Sequence, residues 1–187
     1  VPVYSRGVIW RFDIPLRTER LILRPHTLAD LDDLTVFHGD PAVTRYIPWP
    51  VRTREQTLDA LVVKVAQTSA RVPGEWIVLA IEERSSSRVV GEILLKRKSD
   101  TAAELGYVLA ADAQGKGYVT EAASFLVDVA ARSFGLTTVD ATVEEPNTAS
   151  VRVLTRLGFA PTASDEPGTL SFRRELPGAA TSPATST

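Results

Sequence analysis

Across residues 104–120 the hydrophobic pattern changes period, and that change constrains the fold more than any other stretch. Residues Glu104–Leu109 read as a strand, Gln114, Gly115, Lys116 and Gly117 form a glycine turn, and a helical pattern opens at Tyr118. Ala122, Phe125, Leu126, Val129 and Ala130 then fall on one helical side. A strand must therefore deliver the chain straight into a helix N-terminus. The first N–H groups of a helix have no partner within it, and glycines let a ligand approach them, so such a turn can hold a phosphate. Gly115 and Gly117 also tolerate backbone angles that a side chain forbids.

Around this unit the chain alternates helical and strand patterns. Glu19–Pro25 suggests a strand, and Thr27 precedes Leu28, Leu31, Leu34 and Phe37 at helical spacing, ended by His38, Gly39, Asp40 and Pro41. After an aromatic, proline-containing loop at Tyr46–Pro50, Thr53 and Gln56 form a capping-box pair, which predicts a helix from about Arg54 to about Ser69. Trp76–Ile81, Val89–Leu95 and Glu104–Leu109 are strands separated by short turns, and so predict an antiparallel meander. Val139–Val143 is a further strand. Pro146 and Asn147 introduce a last helix that faces Val151, Val153, Leu154 and Leu157 inward and stops at Gly158, and Thr169–Leu176 is the final strand.

The expected organisation is an N-terminal extension over residues 1–13, one domain over 14–176, and a disordered tail over 177–187, rich in Ala, Thr, Ser and Pro. At 187 residues, 44% hydrophobic and 24% charged, the chain matches one soluble globular domain. A net charge of −2 gives no electrostatic argument for nucleic acid, and Lys96, Arg97 and Lys98 read as a solvated strand end. Cysteine is absent, which excludes disulfides and thiolate chemistry. His26 and His38 are the only imidazoles; without matching carboxylate spacing they read as surface or helix-edge residues, and no metal is expected. No apolar run approaches a membrane span and no signal-peptide pattern is seen, so no membrane partner and a cytoplasmic location are expected; the chain begins with Val, which leaves its natural start open.

Four pieces, Leu16–Pro25, Glu104–Leu109, Gln114–Ala122 and Asn147–Phe159, together resemble the GNAT superfamily of acetyl-CoA-dependent N-acetyltransferases. The branch they look like is that of the ribosomal-protein N-terminal acetyltransferases RimJ and RimL. The resemblance implies an α/β (α+β) fold with a mixed, mostly antiparallel sheet that splays where the cosubstrate enters, flanked by about four helices. It further implies that Gln114, Gly115, Lys116, Gly117, Tyr118, Val119 and Thr120 hold the coenzyme A pyrophosphate. Val119 stands where the family pattern has Gly or Ala. The pantetheine arm would pair with the strand edge at Val108 and Leu109, and Asn147 would hydrogen-bond it.

Acetyl transfer from a thioester to an amine needs a base for the amine proton, a donor for the oxyanion and a proton for the thiolate. Glu104 matches a general-base position of some superfamily members, and reads equally as a surface strand carboxylate; Glu144 and Glu92 are weaker alternatives. A backbone N–H near Val108 would serve the oxyanion. Ser150 matches a serine proposed as thiolate acid, and reads equally as a first-turn cap; no tyrosine follows Tyr118 to take that role. Asn147 is also a helix N-cap. Tyr46 and Trp49 could wall the acceptor pocket, and Arg152 or Arg156 could meet the 3′-phosphate.

The expected activity is direct acetyl transfer from acetyl-CoA to a primary amine, the acceptor being a protein N-terminus or a small molecule such as an antibiotic, polyamine or amino acid. A non-catalytic acyl-CoA-binding or regulatory domain is the alternative. A P-loop nucleotide site is disfavoured, because Gly115, Lys116 and Gly117 lack the longer glycine spacing and the Lys-Ser/Thr pair. Oligomeric state is not legible, although dimers are common among enzymes of this kind.

Overall fold

The computed structural model describes residues 8–164 and 166–177. The tail expectation therefore falls, beyond Pro177, outside the described residues. One sheet runs through the molecule in the order β1 (Leu16–Arg17), β2 (Leu21–Pro25), β3 (Trp76–Glu83), β4 (Arg88–Arg97), β5 (Ala102–Leu109), β6 (Thr138–Glu144), β8 (Thr169–Glu175), β7 (Ala160–Thr162). All neighbours are antiparallel except β5 and β6. The helices are α1 (Leu31–His38), α2 (Pro41–Thr44), α3 (Arg54–Ala66), α4 (Tyr118–Phe134) and α5 (Thr148–Arg156). This is the mixed, mostly antiparallel α+β architecture expected, and β3, β4 and β5 form the meander. Two strands, β1 and β7, and the one-turn α2 are additions that periodicity could not show.

Strand β5 is partnered unequally on its two sides. Its pairing with β4 continues from Arg97↔Ala103 to Gly91↔Leu109, whereas its pairing with β6 covers only Ala102↔Thr138 through Glu104↔Asp140. Beyond Asp140, β6 stays with β8 as far as Glu144↔Thr169. The two parallel strands separate, and a wedge opens between them. Close β4–β5 approach needs Gly91, since a Cβ there would lie 2.3 Å from the Val108 carbonyl oxygen.

The apolar face of α4, with Ala122, Ala123, Leu126, Val127 and Ala130 buried, packs into the core with Leu21, Leu23, Leu79, Ile93 and Leu105. Trp10 and Phe12, which precede residue 14, share this core. Trp10 is 1% exposed and stacks on Phe134 with ring centroids 5.1 Å apart, and Phe12 meets the same ring at 4.8 Å. Arg97, expected in a solvated strand end, is buried: it lies under Trp10 and donates to the carbonyls of Val8 and Arg71 and to Asp100. Alternation explains the difference, because Arg97 shares the core face of β4 with Ile93 and Leu95 while Lys96 and Lys98 point away. The Thr53–Gln56 capping box is formed and starts α3 as expected.

Both histidines are buried, which corrects their surface assignment. Glu92, on β4 and without exposure, receives Lys64 Nζ from α3 at 2.5 Å; His38 Nε2 from α1 lies at 3.1 Å and His26 Nε2 at 3.1 Å. His26 Nδ1 is 3.4 Å from Asp30, which Arg24 grips at 2.8 Å while reaching Glu82 at 2.5 Å. Trp49 closes the cluster, with Lys64 and Arg52 over its ring and His38 at its edge. Burial pushes the Glu92 carboxyl up, but Lys64 and the two imidazoles outweigh it and hold the group well below the ordinary carboxylate range. Burial pushes His26 down, but Asp30 and Glu92 outweigh that and raise it; His38, for which burial prevails, is lowered.

The cluster pins α1, α3 and the segment after β2 onto one face of the sheet. Removing one partner from a buried pair is more destabilising than replacing both, so Glu92→Gln should cost about 3–5 kcal/mol in urea unfolding at pH 7, and Glu92→Gln with Lys64→Met should recover most of it. Because the folded carboxyl titrates below its ordinary value of 4.5, its contribution is complete above 4.5. The gap between native and Glu92→Gln proteins should then close as pH falls through the folded value. A gap that is small at pH 7 and unchanged in acid would show the cluster to be energetically idle.

Candidate active site

The wedge between β5 and β6 widens into a crevice of about 280 Å³. Val108, Leu109, Gln114, Gly115, Gly117, Tyr118, Val119, Thr120, Asn147 and Ser150, all singled out from sequence, line it together. Lys116 and Glu104 do not. Lys116 turns its carbonyl oxygen toward Arg20. Glu104 stands at the closed end of the wedge, where β5 and β6 still pair, and faces Lys96 at 3.8 Å in a row of charges that continues through Asp140 to Lys98 and Arg173. It shares one face of β5 with Gly106 and Val108, since alternate residues of a strand point the same way.

Three structural elements give the crevice its polar groups. The first is the unpaired edge of β5. The Val108 carbonyl lies close to Gly91 and the Ala110 N–H donates to Val90, so even-numbered residues are turned toward β4. By alternation the main-chain groups of Tyr107 and Leu109 face the wedge, and Gln114 Nε2 already donates to the Leu109 carbonyl at 3.2 Å.

The second element is the N-terminus of α4. Gly117 is its N-cap at φ 80°, with Gly115 at φ 75°, both in the left-handed region that a side chain would strain. No side chain caps this helix, so its first N–H groups remain available beside the crevice, with the positive end of the helix dipole behind them.

The third is the start of α5. The Asn147 side-chain oxygen accepts from the Ser150 N–H at 3.1 Å, which caps α5 and leaves the amide nitrogen free for another acceptor.

Sequence reasoning missed several wall residues: Tyr107, Ala42, Val43, Ile47 and Val153, while Tyr46 and Arg156, raised there, do line the crevice. Trp49 packs instead against the buried charge cluster. Tyr107 reaches from β5 toward α5, its hydroxyl 3.5 Å from the Ser150 carbonyl oxygen, and burial raises its pKa and keeps it protonated. Its place one residue before Val108 and Leu109 was the available signal. Among the described residues no group of three or more His, Cys, Asp or Glu side chains is arranged to hold a metal ion, and no helix is long and apolar enough to cross a membrane.

This geometry, a splayed parallel pair beside an uncapped glycine-started helix, has known counterparts. Residues 20–160 match the family model described as the acetyltransferase (GNAT) domain. The chain belongs to the GNAT acetyltransferase family. It is similar to p20 of Bacillus licheniformis, an uncharacterized N-acetyltransferase, with 31% identity over 146 residues that span 77% of this chain and 81% of the relative. Among solved structures it resembles a GNAT-family acetyltransferase from Bacillus anthracis (TM-score 0.75, 22% identity, 86% of this chain and 97% of that one). It also resembles RimL, a ribosomal L7/L12 α-N-protein acetyltransferase in complex with coenzyme A (TM-score 0.72, 19% identity, 88% and 98%). At these identities the structural likeness concerns the fold.

The two uses of Asn147 separate by substitution. Asn147→Ala, which removes the cap, should lower stability by about 1 kcal/mol, whereas Asn147→Asp, which keeps a capping oxygen, should stay within a few tenths. Thermal melts of both variants check this, and equal losses would mean that the cap is not the stabilising role of this side chain.

Proposed function

We propose that this GNAT acetyltransferase moves an acetyl group from acetyl-CoA directly to a primary amine. The observation that carries the reading is the continuity of one crevice from the free edge of β5, past Asn147 and Ser150, onto the uncapped N-terminus of α4. An amide-rich pantetheine arm can pair with a strand edge as an added strand does. A diphosphate can be held by the N–H groups of residues 115–120, and Arg156 at the rim can meet a further phosphate. RimL, in complex with coenzyme A, shares this fold.

In the transfer the amine nitrogen attacks the thioester carbonyl, the N–C bond forms, and the C–S bond breaks. An N–H on the β5 edge, at Tyr107 or Leu109 beside Val108, would donate to the developing oxyanion, already oriented by the strand. Ser150, on the wall of the crevice, would supply the proton that the departing thiolate takes. The Tyr107 hydroxyl, protonated at neutral pH, stands beside the same turn of α5. Glu104 would receive the amine proton through intervening water, given its place at the closed end of the wedge. The acceptor side is walled by Ala42, Val43, Tyr46 and Ile47, without a carboxylate, so it offers no counter-charge that would favour a polycationic acceptor such as a polyamine. A protein N-terminal α-amine or a small amine of low charge fits better.

Calorimetry should show acetyl-CoA binding in the native protein and a weaker affinity in Asn147→Asp, which cannot donate from its side chain. With an amine that supports turnover, Ser150→Ala and Glu104→Gln should each lower kcat by roughly 10²-fold or more with acetyl-CoA affinity retained. Binding without turnover on any amine panel would instead identify an acyl-CoA-binding domain, and unchanged rates in both variants would remove these two residues from the chemistry.

A further inference from the structure

Arg20 lines no part of the crevice, yet its side chain bonds both the glycine loop, at Lys116, and the first turn of α4, at Glu121. It lies in the turn between β1 and β2, and its Nη1 donates to the Lys116 carbonyl oxygen at 2.8 Å. Its Nε donates to Glu121 Oε2 at 2.7 Å and its backbone N–H to Glu121 Oε1 at 2.9 Å, while Thr18 Oγ1 donates to the same Oε1 at 2.5 Å. The guanidinium stacks on the Tyr118 ring, 4.8 Å from its centroid, and the Tyr118 hydroxyl donates to Glu83. The turn is itself held, because Arg84 Nη1 donates to the carbonyls of Thr18 and Glu19 and the Arg84 N–H to that of Arg20.

Two physical consequences follow. A trans peptide plane points its C=O and the next N–H in opposite directions, so holding the Lys116 oxygen toward Arg20 turns the Gly117 N–H the other way. Gly117 lines the crevice and Arg20 does not, so an N–H turned away from Arg20 is the one that a bound anion could use. A loop with two left-handed glycines is loose by itself, and ordering it only on binding would subtract from affinity. The second consequence is electrostatic. Glu121 sits in the first turn of α4, where a carboxylate would repel an incoming diphosphate. Burial raises the Glu121 carboxyl, but the bonds from Thr18 and Arg20 outweigh it and keep the group ionised. Its charge is thus cancelled by a cation 2.7 Å away.

We infer that Arg20 is a positioning residue for the phosphate-binding loop, setting the Gly117 N–H and masking Glu121 without touching the ligand. This rests on the acetyl-CoA reading above. It assigns a cosubstrate-binding purpose to the hairpin of β1 and β2, whose Arg20 stands 96 residues before Lys116 in sequence.

The test compares two acetyl donors, acetyl-CoA and S-acetylpantetheine, which lacks the diphosphate, in native protein, Arg20→Ala, Arg20→Lys and Arg20→Ala with Glu121→Gln. Charge-assisted bonds of this kind correspond to about a tenfold change or more in affinity. Arg20→Ala should therefore raise the Kd and KM for acetyl-CoA by about tenfold, with the KM for S-acetylpantetheine and the saturated kcat unchanged. Adding Glu121→Gln should recover part of the loss, and Arg20→Lys, which keeps the charge and loses the fork, should fall between. Should Arg20→Ala fail to fold, Arg20→Lys carries the same donor comparison. Equal losses with both donors would reduce Arg20 to a stability role and overturn the inference, as would native affinity in Arg20→Ala. Failure of the native protein to bind acetyl-CoA would overturn the functional reading itself, and is distinguishable because it needs no variant.

Discussion

A strand with a partner on one side only is the constraint from which the site follows. Main-chain donors and acceptors in a protein interior need partners, and a sheet ordinarily supplies them on both edges of an internal strand. Here β5 loses β6 after Glu104 while remaining bonded to β4, so the main-chain groups of Tyr107 and the Leu109 N–H face the open wedge, and only the Leu109 carbonyl is met, by Gln114 Nε2. Water or an extended, amide-bearing ligand can satisfy them. The same divergence leaves room for α4 to begin at the mouth of the wedge, so a strand edge and a helix N-terminus open onto one crevice from two directions.

Such an opening weakens the sheet where it occurs, and the rest of the molecule compensates on either side. On one flank, Glu92 gathers Lys64, His26 and His38 and fixes α1 and α3 over β4. Trp49 seals those charges and ends the loop whose Tyr46 and Ile47 wall the crevice. On the other flank the stack of Trp10, Phe12 and Phe134 holds the far end of α4, and Arg20 holds its near end. Helix α4 is thus anchored at both termini. That suits the proposed function, in which its first turn would meet a charged ligand without moving.

How much of this was legible in the sequence depends on whether a feature is local. The capping pair Thr53 and Gln56, the glycine start of α4 and the Asn147 cap act within one turn of chain, and each was readable from neighbouring residues. Eight of the ten predicted site residues in the crevice share it for the same reason, since the strand, loop and helix that carry them are nearly contiguous; Asn147 and Ser150 reach it from the start of α5. The burial of His26 and His38 was not readable, because what makes an imidazole tolerable inside is Glu92, 54 residues beyond His38. Arg97 escaped for a similar reason: besides the nearby Asp100, the partners that make its burial tolerable are carbonyls of the remote segments at Val8 and Arg71. Strand β7 is three residues long and includes Pro161, too short for a period to show. Glu104 was placed on the correct strand, but whether it meets a substrate or a lysine is a matter of tertiary contact, and Lys96 is its neighbour here.

The central claim is that the N-terminus of α4 and the free edge of β5 bind one ligand together. Titrating isotope-labelled protein with coenzyme A and following each backbone amide by NMR tests it most directly. The amides of Gly115, Gly117, Tyr118 and Val119 should shift along one saturation curve with those of Tyr107 and Leu109. Shifts confined elsewhere, or a loop that responds while the β5 edge stays silent, would contradict the account.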